Sequence, residues 1–171
     1  MIRRLKKSLA AIAAVPVLVL GSASSASSAA ADNAAVSWST TDGSHNLCLA
    51  HDWIDAVTLE YVPTMVGTCL SHDSTTWRDD NSNLEKPPYS GNFYAEKTPG
   101  PDGKCLTAYG SAIYLEPCKS PVNWYEQWDE ESIGGHWFLK NLMTNTCLAH
   151  PGFSGVAMKN CDARDSEQYW S

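Results

Sequence analysis

The sequence predicts an all-β domain built from three repeats, and three observations carry that prediction. A Cys-Leu pair recurs at Cys48-Leu49, Cys105-Leu106 and Cys147-Leu148. Each pair is followed by a second cysteine, at Cys69, Cys118 and Cys161, and then by a tryptophan, at Trp77, Trp128 and Trp170. Between these landmarks lie short aromatic or β-branched runs broken by turn residues, with no long stretch of helical periodicity after residue 31. Self-similarity at a period near forty residues marks repeated units that share one core.

The segment ahead of the repeats reads differently. Arg3, Arg4, Lys6 and Lys7 precede an apolar run from Leu9 to Leu20 and then a Ser/Ala-rich stretch. This is the order of a secretory signal peptide, expected over residues 1–31 with Ala29 and Ala31 before a cleavage site at Asp32. A retained membrane anchor is the rival reading, but the run is short for a bilayer span. Four of the 12 basic residues lie in this leader, which leaves eight against 19 acidic residues and a formal charge of −11 on residues 32–171. So acidic a domain is repelled by nucleic-acid phosphates and anionic lipid, so neither nucleic acid nor membrane insertion is expected.

Six cysteines in an exported chain of domain size read as three disulfides. Count alone allows fifteen pairings; the repeat phasing selects Cys48–Cys69, Cys105–Cys118 and Cys147–Cys161, closing over 20, 12 and 13 intervening residues. No C-x-x-C pair supports zinc.

Within the repeats, taken as about 36–90, 91–134 and 135–171, Val36-Ser37-Trp38, Phe93-Tyr94-Ala95 and Trp137-Phe138-Leu139 are first strands. Turn residues follow each: Thr41-Asp42-Gly43-Ser44, Pro99 to Gly103, and Asn141 to Asn145. Ile113-Tyr114-Leu115 and Val156-Ala157-Met158 alternate sides of later strands. One repeat of about four strands cannot bury its apolar face alone, whereas three around an axis close a barrel and leave few exposed edges. The third repeat ends at Trp170, short of a last strand, so the strand around Trp38 is expected to complete it and bring the two ends together.

These residues resemble the ricin-B family, whose repeats begin with Cys-Leu and end in Q-x-W. Gln168-Tyr169-Trp170 matches in full, Glu126-Gln127-Trp128 with Glu for the first Gln, and Thr75-Thr76-Trp77 in the tryptophan alone. The resemblance spans residues 32–171 and implies a single β-trefoil of three pseudo-repeats, each with one disulfide. It also implies that Trp77, Trp128, Trp170 and Gln168 are structural. Sugar-binding repeats of that family place an aspartate two residues after the first cysteine and an aromatic two before the second. Here those places hold Ala50, Thr107 and Ala149, and Gly67, Glu116 and Lys159. The usual site is missing from all three repeats. In the first repeat the register is open, because Val57 to Tyr61 resembles Ile113 to Glu116 better than the residues before Cys69 do, as if the long loop held an insertion.

Candidate contact residues lie in the loops inside each bridge: His51, Asp52, Trp53, Tyr109, His150 and Phe153. Asp52 beside Trp53 offers a carboxylate acceptor next to a ring, the pairing a sugar needs. The histidines at 51, 72 and 150 repeat by symmetry, and a metal role is not assigned to them. The acidic groups Asp79-Asp80, Asp129-Glu130-Glu131 and Asp162 to Glu167 are read as solvated loops, with a calcium site or a carboxylate-pair glycosidase as the alternative. No G-x-S-x-G or H-E-x-x-H stands in the chain, and no catalytic residue, metal or cofactor is expected. The expected role is that of a secreted lectin-like module for a cell-surface glycan, as the resemblance implies, within a larger toxin complex such as an umbrella toxin particle. The alternatives are a protein-binding trefoil with decayed sugar sites, or an inhibitor of a secreted hydrolase.

Overall fold

The computed structural model describes residues 34–42, 45–55, 57, 61–67, 69, 73–88, 90–152 and 155–171, without the side chains of Asp42, Trp53 and Asp73. The expected signal peptide, His72 and Phe153 lie outside the described residues. Twelve strands are described: β1 Ala34–Val36, β2 Ser39–Asp42, β3 His45–Ile54, β4 Tyr61–Val66, β5 Trp77–Asp80, β6 Phe93–Lys97, β7 Lys104–Tyr109, β8 Ala112–Pro117, β9 Gln127–Ile133, β10 His136–Asn141, β11 Thr146–Ala149 and β12 Ala157–Asn160. The only helical pieces among the described residues are 3-10 turns at Asp73–Thr75 and Ser166–Gln168.

Half of these strands form a closed ring. β1 pairs with β5, β5 with β6, β6 with β9 and β9 with β10, all antiparallel. The ring closes through the last two residues. Trp170 exchanges backbone hydrogen bonds of 2.9 and 3.0 Å with Trp137, and Ser171 exchanges bonds of 2.8 and 3.0 Å with Ser39. The expected meeting of the two ends is therefore present, but not by the expected route. The N-terminal strand does not stand in for the missing fourth strand of the third repeat. It is the first strand of the first repeat, fixed by the pairing of Val36 with Trp77, and Trp170-Ser171 is itself the fourth strand.

The remaining strands form three hairpins, β3–β4, β7–β8 and β11–β12, each joined to its own first strand at a cysteine: Ser39 opposite Cys48, Lys97 opposite Cys105, Lys140 opposite Cys147. The chain is thus a β-trefoil, and its three disulfides pair as the repeat phasing requires. Each ties the second strand of a repeat to the end of the third, a constraint typically worth about 2–4 kcal/mol through the unfolded chain.

The signature tryptophans are the centre of the core. Trp77, Trp128 and Trp170 are fully buried and lie opposite Val36, Tyr94 and Trp137 in the barrel. Each indole N–H donates to the carbonyl of the leucine in its own Cys-Leu pair: Leu49 at 3.0 Å, Leu106 at 2.8 Å and Leu148 at 3.1 Å. Leu49, Leu106 and Leu148 are themselves fully buried against them. Burying an indole removes roughly 200 Å² from water, about 5 kcal/mol of transfer free energy, and the bonded N–H avoids the cost of an orphan donor.

The residue two before Trp128 and the one two before Trp170 share a further structural task. The side-chain oxygen of Gln168 accepts from the backbone N–H of Asp162 at 3.1 Å, and Glu126 accepts from Lys119 at 3.0 Å, in both cases the residue after the second cysteine. Glutamate keeps this acceptor. It lacks the amide with which Gln168 donates to Asn160, and takes a further bond from the Asn123 N–H instead.

Candidate functional site

The first hairpin settles the open register. Cys48 lies opposite Val66, as Cys105 lies opposite Glu116 and Cys147 opposite Lys159. The counterpart of Glu116 and Lys159 is therefore Val66, not Gly67, and the strand that corresponds to Ala112–Pro117 is Tyr61–Val66, not the segment from Val57. A single additional residue between Val66 and Cys69 explains the offset, and the further length lies in the hairpin itself. β3 runs ten residues, has an irregularity between Ala50 and Trp53, and continues through Trp53 opposite Val62 and Ile54 opposite Tyr61. Ala50, Thr107 and Ala149 are all buried, so the usual sugar positions carry neither a carboxylate nor an open surface.

The candidate contact residues separate by environment. His51 and His150 are buried and pack edge-on against Trp77 and Trp170, at 5.1 and 5.5 Å between ring centroids. Nε2 of His150 shares a 2.8 Å hydrogen bond with the Thr40 hydroxyl. His51 meets the Asp52 carboxylate through Nδ1 at 2.7 Å and the Thr76 carbonyl through Nε2 at 3.1 Å. It therefore orients Asp52, whose side chain is 63% exposed. Tyr109 is exposed and leans on Tyr125 at 5.0 Å. Trp53 sits on the strand beyond the irregularity, with its side chain outside the description, as is Phe153.

His51 and Asp52 open onto a cleft of about 200 Å³ between the first hairpin and the turn that joins β6 to β7. Tyr61, Thr98, Asp102 and Lys104 complete it. The Lys104 ammonium lies 3.4 Å from the centre of the Tyr61 ring, which fixes the ring and sets a donor beside two carboxylates. Of three larger cavities elsewhere, one borders Asp79 and Glu130 and the other two are grooves. One groove, about 360 Å³ at the seam of the first and third repeats, is lined by hydroxyls and by the stacked pair His136 and Tyr169, 4.2 Å apart, but by no acidic side chain. The other, about 370 Å³, contains the Lys97–Asp80 ion pair and no aromatic side chain. The cleft beside Asp52 combines ring, acceptors and donor. Sequence reasoning passed over Tyr61, Asp102 and Lys104 because they come from two repeats, and no local motif brings them together.

The acidic groups are not all solvated loops. Asp162 to Glu167 does form a surface turn, where Lys159 bonds Asp165 at 2.9 Å and Glu167 at 2.7 Å. Asp79 and Glu130, by contrast, are buried in the barrel wall. Each stands two residues after a buried tryptophan, and strand alternation returns it to the same inward face. Between them Glu96, fully buried, lies opposite Asp79. Among the described residues these three are the group whose oxygens converge, one from each within 4.8 Å of the others. Burial raises all three: Asp79 to about 7, Glu130 to about 8, and Glu96 well above the usual carboxylate range, with mutual repulsion adding to the shift for Glu96 and Glu130.

No family model matches the chain, and no curated protein is similar to it in sequence. Solved structures are similar in fold. The lectin of Polyporus squamosus, bound to a human-type influenza-binding epitope, superposes with a TM-score of 0.61 at 11% identity, over 82% of this chain and 49% of that one. The designed threefold-symmetric protein ThreeFoil gives 0.56 at 14% identity, over 78% and 94%. The cytolethal distending toxin of Actinobacillus actinomycetemcomitans gives 0.53 at 17% identity, over 78% and 88%. This chain thus spans about half the length of the Polyporus lectin.

Proposed function

We propose that the protein is a secreted, non-catalytic module that recognises a glycan through the cleft of Asp52, Tyr61, Asp102 and Lys104. The observation that carries this reading is the convergence of two carboxylates, an ammonium and an aromatic ring where the first repeat departs from the other two. Carboxylates accept from sugar hydroxyls, the ammonium donates to a ring or carbonyl oxygen, and an aromatic face covers the C–H side of a pyranose. Export fits three disulfides, which persist in oxidising compartments. A role inside a toxin complex draws support from the likeness in fold to cytolethal distending toxin.

A second reading rests on the hairpin tip, where Val57 is 92% exposed and Ile54 and Tyr61 form an exposed cross-strand pair. Such an apolar tip suits a protein partner. A glycan array separates the two readings. Retention of the full-length exported protein on a defined glycan, lost in Asp52→Ala with Tyr61→Ala at an unchanged melting temperature, supports the first. Absence of retention on every glycan, together with a stoichiometric protein partner from culture fluid released by Val57→Asp, replaces it with the second.

A further inference from the structure

The fold gives no reason for a carboxylate at position 96. Counting from the strand pairs at the cysteines, its counterparts in the other repeats are Trp38 and Leu139, both buried in the same layer of the barrel. Leu139 shows that an apolar side chain fills this place without difficulty. Glu96 instead adds a third acid to a layer already containing Asp79 and Glu130. None of the three is in an ion pair among the described residues. Three carboxyl groups present six oxygens; the Trp38 indole donates to Oε2 of Glu96 at 2.9 Å, and the Glu96 and Glu130 carboxyls share a side-chain hydrogen bond. Both oxygens of Asp79, Oε1 of Glu96 and Oε1 of Glu130 are buried with no hydrogen-bond partner. Asp79 is entirely enclosed, yet its side chain meets no donor at all.

Buried polar atoms in native proteins are ordinarily satisfied, and an uncompensated carboxylate is among the costliest to leave bare. The geometry supplies what would satisfy this one. A cavity of about 260 Å³, lined by exposed Ser37 and Ser171 and by Trp38, borders Asp79 and Glu130. We propose that Asp79, Glu96 and Glu130 form a binding site for a hard divalent cation of the calcium class, reached through this cavity. Calcium binds oxygen ligands at roughly 2.3–2.6 Å, so oxygens around one ion lie up to about 5 Å apart, the spacing these three present. It accepts six to eight ligands, and the cavity has room for several waters, at about 30 Å³ each, to complete the set. Magnesium demands a tighter octahedron at roughly 2.0–2.1 Å, which side chains pinned to three different barrel strands adapt to poorly. Zinc favours histidine nitrogen and cysteine sulfur, and neither residue type belongs to the group. Trp38 holds Glu96 in place and caps the layer.

This site lies apart from the glycan cleft and does not depend on it. The test takes the full exported chain, stripped with a chelator, and titrates it with calcium chloride alone and with magnesium chloride alone, reading heat and melting temperature. One calcium per chain is expected, with a dissociation constant on the order of micromolar to millimolar, and a melting temperature that climbs with calcium. Magnesium should bind more weakly than calcium, because it demands a tighter octahedron and gives up its waters reluctantly. Glu96→Gln with Glu130→Gln should keep the melting temperature in chelator and lose the calcium response. A variant that retains the full response would assign the ion to surface acids such as Asp162 to Glu167 and overturn the proposal. So would a wild-type protein unmoved by calcium well above millimolar. Should the variant fail to fold, terbium on the wild type decides: an ion beside Trp38 gives indole-sensitised emission that calcium quenches by displacement, and no such emission contradicts the site.

Discussion

Two neighbouring layers of the barrel are built on opposite plans. In one, Trp77, Trp128 and Trp170 repeat a single arrangement three times, each indole buried and bonded to its own leucine carbonyl. In the next, two residues along the same strands, the chain places Trp38, Asp79, Glu96, Glu130 and Leu139, which share no pattern. The first layer holds what any three-repeat barrel of this kind needs. The second sets three acids inside the barrel without a compensating cation, an arrangement that opposes folding when the acids are ionised and nothing occupies it. The first hairpin repeats the lesson at the surface: its extra length gathers Asp52 and Tyr61 against Lys104 of the next repeat. Where the repeats agree, the residues serve the fold; where they disagree, the residues are available for binding.

The largest effect that sharpens this comparison comes from the symmetric layer. Trp128→Ala or Trp170→Ala should cost roughly 3–5 kcal/mol, through lost burial and a cavity, as read from urea unfolding. The asymmetric layer should respond to pH instead. With divalent cations removed, the raised acids bind protons in the folded state that they release in the unfolded one. Their stabilising contribution is complete below the ordinary carboxylate range and fades as pH climbs through about 7 and about 8, the values for Asp79 and Glu130. The melting temperature in chelator should therefore fall between about pH 5 and pH 8.5, and a flat profile there would remove the burial argument. The smallest effect belongs to the cleft. Asp52→Ala should change stability by less than about 0.5 kcal/mol, since its side chain is largely exposed, while glycan retention drops.

Much of the fold was legible because it repeats. Cysteine pairs, signature tryptophans and first strands stand in phase along the chain, and the barrel follows from them. The first-repeat register was not, because the landmark Cys69 is displaced by one residue and the segment from Val57 imitates a strand that begins at Tyr61. The acid layer was legible in part. Asp79 and Glu130 sit two residues beyond a buried tryptophan, and alternation alone would have turned them inward. Glu96 was hidden, because the turns between first and second strands differ in length, so counting back from Cys48, Cys105 and Cys147 does not align it with Trp38 and Leu139. The cleft was hidden for another reason: Lys104 reaches Tyr61 only through tertiary packing.

The division between the layers is tested most directly by unfolding two variants side by side at pH 8 in chelator, Trp128→Ala and Glu96→Gln. Glutamine keeps the size of Glu96 and an acceptor for the Trp38 indole, and its amide offers donors to the acids beside it. The two changes should move stability in opposite directions, with Trp128→Ala falling by several kcal/mol and Glu96→Gln at or above the wild type. A loss in Glu96→Gln as large as that in Trp128→Ala would make the carboxylate part of the fold's own support and contradict the account.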